Sequence, residues 1–116
     1  MAGEDCIFCK IVAGEIPAAK VFEDERAVAF RDINPQAPTH ALVIPRKHIA
    51  SLNEAGAEDE SLLGHLLRVA AHVAREEGHA EGGYRTVVNS GPDAGQSVFH
   101  VHVHVLGGRS LTWPPG

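Results

Sequence analysis

The run His100-Val101-His102-Val103-His104-Val105 constrains this chain more than any other feature. A β-strand has a side-chain period of two, so the three imidazoles share one face and the three valines the other. Alternate strand residues are about 6.6 Å apart, which sets the rings in a row. The valine face suits burial against another layer. The imidazole face needs another role, and imidazole, titrating near pH 6.5, serves as base, acid, metal ligand or nucleophile.

The remaining segments define the fold around that strand. The 116 residues suffice for one core, so residues 1–116 read as a single domain. Cys6 to Ala13 reads as a short helix with Asp5 as N-cap and Gly14 as stop. Two strands follow, Lys20 to Glu23 and Ala27 to Asp32, and a third, His40 to Ile44, is closed by Pro45. From Asp59 to Glu77 the residues Leu62, Leu63, Leu66, Leu67, Ala70, Val73 and Ala74 recur at helical spacing, and Gly78 ends the helix. The last strands are Tyr84 to Asn89 and Val98 to Leu106. The sum is an α+β domain, an antiparallel five-stranded sheet with one long and one short helix, the long helix lying on the valine face.

Apolar residues at 44% and charged residues at 22% exclude disorder. A net charge of -5 argues against nonspecific binding to nucleic acid or an anionic membrane and leaves a local anion site open. No stretch reaches the roughly 20 apolar residues of a membrane span, and acids stand where a signal peptide would be basic. These features predict a cytoplasmic protein.

The turn before the histidine strand narrows the chemistry. Gly91, Ala94 and Gly95 let backbone N–H groups approach an anion, while Ser97 adds a hydroxyl and Asn89 an amide. Neutral donors beside a row of imidazoles favour a phosphate over a carbonyl. Cys6 and Cys9 have Cys-x-x-Cys spacing, which lets both sulfurs reach one tetrahedral ion; redox dithiols and inert buried thiols share it. His65, His72 and His79 recur every seven residues, a rise of about 10.5 Å that is too long for one ion, and read as a solvated helix face.

The stretch GQSVFHVHVHVLGGR resembles the histidine-triad (HIT) pattern, and the ending LGGRSLTWPPG resembles the Hint branch of that superfamily, as do IFCKIVAGEIPA and VFEDERAVAFRDINPQAPTHALVIPRKHI. The resemblance implies a HIT-like fold whose sheet extends across a homodimer, with the Trp113 tail near the partner's site. It implies a purine nucleoside phosphoramidase that hydrolyses the P–N bond of adenylyl or guanylyl amides, AMP-lysine-like or aminoacyl-adenylate-like. His102 would be the nucleophile, with His104, His100, Ser97 and His40 assisting; for His40 a polar strand-end residue is an equal reading. Asp32 would accept the ribose hydroxyls; Ile7, Phe8, Ile11, Phe30 and Ile33 would line the base pocket, although composition alone reads them as core. Asn89, Gly95, Gln96, Ser97, His102 and His104 would surround the phosphate of AMP or GMP. The resemblance further implies a structural zinc held by Cys6, Cys9, His48 and His100, with free thiols as the alternative and no organic cofactor. Other readings are a dinucleoside polyphosphate hydrolase, a nucleotidyl transferase, and a nucleotide- or zinc-binding regulatory module with little turnover.

Overall fold

The computed structural model describes residues 5–116. Five strands, β1 (Lys20–Glu23), β2 (Ala27–Arg31), β3 (Thr39–Pro45), β4 (Tyr84–Val87) and β5 (Val103–Gly107), form one sheet in the order β1-β2-β3-β5-β4. Every neighbouring pair is antiparallel. The long helix α2 (Glu60–Glu76) covers one face and the short helix α1 (Ile7–Val12) lies against the other.

This layering follows from the apolar pattern. On α2, Leu66, Val69, Ala70, Val73 and Ala74 form one buried stripe, which meets Val101, Val103, Val105, Ala41 and Val43 from the sheet. On the opposite face Phe8 and Ile11 of α1 pack with Val28, Phe30, Leu42 and Ile44. Strand β3 is buried throughout, its alternate residues serving both layers. The valines of the triad run thus face the long helix, and the histidines face the side that carries α1. Among the described residues no helix is long and apolar enough to cross a membrane.

Three expectations need correction. The strand predicted from Val98 begins only at Val103. The ladder pairs Val43 with Val103, and continuing it would bring Val101 opposite Pro45, which has no N–H to give. Val101 N–H bonds Ile49 O at 2.7 Å instead, which preserves the side-chain alternation without a strand partner. The predicted cap also moves by one residue: Cys6, not Asp5, caps α1, its sulfur accepting Cys9 N–H at 3.3 Å. Finally, His65 and His79 are not a solvated face. His65 Nε2 lies 2.6 Å from Asp24 Oδ2 and ties α2 to the β1–β2 turn. His79, beyond the end of α2, bonds Thr39 Oγ1 at 2.8 Å, and the exposed His72 lays its ring against Phe22.

Candidate active site

His102 sits 6% exposed, two residues past His100 in the segment that leads into β5. Its Nδ1 is 2.8 Å from the His100 carbonyl, which only accepts, so Nδ1 carries the proton and donates it. Nε2 is therefore left with a lone pair. The Phe8 ring stands edge-on at 5.2 Å and the His104 ring lies 5.0 Å away, so that lone pair is held in a fixed place beside a second imidazole. This is the requirement for a nucleophile: unprotonated at the attacking atom and locked in one tautomer.

His104 has the opposite tautomer, and the cause lies on the neighbouring strand β3 and in the turn before it. The Gln36 backbone N–H donates to His40 Nδ1 at 3.0 Å. A neutral His40 must then carry its proton on Nε2, which faces His104 Nδ1 at 2.9 Å and Asp32 Oδ2 at 3.4 Å. His104 Nδ1 accepts that proton's bond, leaving its own proton on Nε2 as a donor. Burial lowers the proton affinity of both rings, against the opposing pull of Asp32. For His104 burial, together with His102 and His40, brings the pKa to about 4. At neutral pH His40 is therefore an uncharged ring beside Asp32 and not half of an ion pair, its Nε2–H going to His104. The same logic rules on Asp32, His40 and His104 as a metal site, although their ligand atoms lie within 4.8 Å of one another. A metal on His40 Nε2 would require both of its nitrogens unprotonated, given the Gln36 N–H on the other side.

The two rings open onto a cleft of about 680 Å³ lined by His102, His104, Ser97, Asp32, Phe8 and Phe30, with Ile7, Ile11 and Ile33 also on its wall. Phe8, Ile11 and Phe30 are both core and cleft wall, so the two sequence readings of these residues coincide. Ile7 and Ile33 are exposed. Ile16, Pro17, Ala18, Ala19, Leu42 and Val98 complete the apolar lining and were not anticipated from the sequence. The Gln36 N–H was missed as well; its signal was the proline-flanked turn immediately before His40.

Other predicted residues lie apart from this cleft. Asn89 and Gly95 do not line it. Gln96 is buried and its amide holds the loop together, Oε1 accepting Gly91 N–H at 2.8 Å and Nε2 donating to Ala50 O and Val98 O. Gly91 and Gly95 adopt φ of 87° and 86°, which a side chain would disfavour, and their N–H groups bond within the loop. The glycines shape the bend that delivers Ser97 to the cleft, and those two amides are not free for an anion.

His100 is fully buried and turned away from the cleft. Its Nε2–H donates to Pro45 O at 2.8 Å, so Nδ1 presents a lone pair to Cys6 Sγ at 3.3 Å and Cys9 Sγ at 3.5 Å. His48 Nδ1 lies 3.2 Å from Cys9 Sγ, and the four donor atoms fall within 4.8 Å of one another. A tetrahedral zinc site has sulfur–nitrogen edges of about 3.6 Å, close to these separations, and a ligand histidine usually donates its second N–H to a carbonyl. The donor set thus fits a zinc ion in number and type and, at His100, in tautomer. Burial, followed by the neighbouring Cys6, pushes the Cys9 thiol up to about 11, so without a metal it is a protonated, unreactive thiol.

Comparison with known proteins places this geometry in context. The pattern of the HIT domain matches residues 13–111. An uncharacterised HIT-like protein of Synechococcus elongatus is 59% identical over 113 residues, covering 97% of this chain and 98% of that protein. A 14 kDa zinc-binding protein of Zea mays is 55% identical over 112 residues, covering 95% and 87%. Among solved structures, a HIT family hydrolase from Legionella pneumophila superposes with a TM-score of 0.95 at 55% identity, covering 97% of this chain and all of that one. A histidine triad protein from Clostridium difficile gives 0.92 at 46% identity, with 97% of each chain covered.

Proposed function

Since the chain belongs to the HIT domain family, we propose that it is a hydrolase of purine nucleoside phosphoramidates that works through a nucleotidyl intermediate on His102. The observation that carries this reading is the pair of opposed tautomers. His102 offers a lone pair at Nε2 and His104 offers a proton at Nε2, side by side at the mouth of an apolar cleft.

The purine lies among the apolar residues of the cleft, and Asp32 at its rim accepts the ribose hydroxyls. The α-phosphorus stands beside His102 and Ser97. In the first step the His102 Nε2–P bond forms as the P–N bond to the amine breaks. The departing nitrogen is hydrogen-bonded by His104 Nε2–H, and a proton from solvent completes the free amine. Nδ1–H stays on the His100 carbonyl, so the nucleotidylated ring carries positive charge and is a good leaving group. In the second step water adds to phosphorus, the P–Nε2 bond breaks, one proton returns to solvent, and AMP or GMP is released.

A zinc ion held by Cys6, Cys9, His48 and His100 would cross-link α1, the segment after β3 and the approach to β5, fixing His100 so that its carbonyl is correctly set for His102. All four positions of the ion are filled by protein, which makes it structural. Support comes from the fit of the donor set and from the name of the Zea mays relative. Metal analysis of chain purified without chelator should find about one zinc per chain; freely titratable thiols with no metal would refute the site. The proposal includes a homodimer, with exposed Trp113 in the tail that would reach the partner; light scattering at one chain's mass would refute it.

Purified protein should release amine and AMP from adenosine 5′-phosphoramidate faster than it cleaves diadenosine polyphosphate, and His102→Ala should lose that turnover while still binding AMP. Faster polyphosphate cleavage would favour the dinucleoside polyphosphate hydrolase reading. Binding of AMP with no turnover of either substrate would favour a regulatory module.

A further inference from the structure

Beside the main cleft lies a second one of about 510 Å³. Ile7, Ser97 and Val98 line both, so the two meet at Ser97, next to the position proposed for the phosphorus. A substrate whose nucleoside fills the main cleft has this passage as its continuation on the far side of the phosphorus. The wall of the second cleft carries Asp5, His48 and Phe99. Phe99 is 53% exposed and Ile7 47%, two apolar side chains left uncovered among the described residues.

The charge of that wall is simple. Among the described residues Asp5, which is exposed, is the one carboxylate of the lining. A carboxylate and an aromatic face bordering one cleft suit a cation carried on a short apolar stem.

We infer that the second cleft receives the leaving amine, and that Asp5 and Phe99 favour amines bearing an additional positively charged group. This rests on the phosphoramidase reading above. It goes beyond that reading in naming where the amine sits and which chemical class is preferred.

The test compares two adenosine 5′-phosphoramidates, one of butylamine and one of 1,4-diaminobutane, with wild-type chain, Asp5→Asn, Asp5→Lys and Phe99→Leu at low ionic strength. The readout is the ratio of kcat/KM for the cationic amine to that for the neutral one. The ratio should exceed one in wild type, fall about fivefold in Asp5→Asn, as expected for one exposed charge pair, and fall further in Asp5→Lys. Phe99→Leu should lower it through lost cation–π contact, and added salt should shrink the wild-type preference. An identical ratio in wild type, Asp5→Asn and Asp5→Lys would overturn the inference while leaving the phosphoramidase reading intact. Failure of wild type to cleave either compound would refute that reading itself, and the assigned occupant with it.

Discussion

Replacing His40 separates two bonds that one imidazole makes at once. Its Nδ1 accepts the Gln36 N–H at 3.0 Å and its Nε2–H donates toward His104 Nδ1 at 2.9 Å. The ring is 6% exposed, so any group orphaned by its loss stays away from water. His40→Ala leaves the Gln36 N–H and His104 Nδ1 without partners, and each such buried group costs about 1–3 kcal/mol. Without its donor, His104 is free to present a lone pair to the substrate in place of Nε2–H. If a bond of about 1–3 kcal/mol in the transition state is lost, kcat falls about 5- to 150-fold. Glutamine and asparagine divide the effect. A glutamine amide reaches the position of Nε2 and can donate to His104, whereas an asparagine oxygen overlays Nδ1 and can accept only from Gln36. The expected order of kcat is wild type, His40→Gln, His40→Asn, then His40→Ala, with His40→Gln and His40→Asn similar in stability. The assay is steady-state hydrolysis of adenosine 5′-phosphoramidate, with urea unfolding of each variant alongside. An Asn variant as active as the Gln variant, or an Ala variant within twofold of wild type, would refute the tautomer argument.

Two further outcomes follow from the same geometry. The His104 pKa is about 4 in the folded chain against 6.5 for the unfolded residue, so between those values the unfolded chain binds more protons. Its contribution to stability is complete above about pH 6.5 and is lost as pH falls toward 4, by at most about 3 kcal/mol. His104→Gln should reduce the slope of urea-unfolding stability across that window, leaving the part due to His100, which burial also brings to about 4, and an unaltered pH slope would contradict the assignment. Gly107→Ala would set a Cβ 2.7 Å from His79 Cδ2 and 2.9 Å from His79 Cγ, forcing the ring from its Thr39 bond. A loss of about 1–3 kcal/mol in thermal or urea unfolding is expected, and an unchanged midpoint would contradict the packing described.

Much of this site was legible because its signal is periodic. The alternation of histidine and valine assigned faces correctly even where no ladder forms, since the extended backbone continues without a strand partner. The leucine spacing placed α2 within one residue at each end, and the whole of β1 was read correctly. What escaped was determined by backbone partners distant in sequence. Pro45 removes a ladder donor and so sets where β5 begins, and its carbonyl fixes the tautomer of His100. The Gln36 N–H does the same for His40, which a reading of side-chain types passes over. His65 and His79 were misread because their partners, Asp24 and Thr39, lie 41 and 40 residues away. Gln96 belongs in the loop by its motif, yet its side chain is spent on three backbone groups.

The most direct test of the account is chemical trapping of the intermediate. Wild-type protein mixed with excess adenosine 5′-phosphoramidate, quenched within a turnover under alkaline denaturing conditions that preserve a phosphorus–imidazole bond, should carry one adenylyl group, and peptide mapping should place it on His102. Turnover with no adduct, or an adduct on another side chain with His102→Ala still active, would contradict the claim that His102 Nε2 attacks phosphorus.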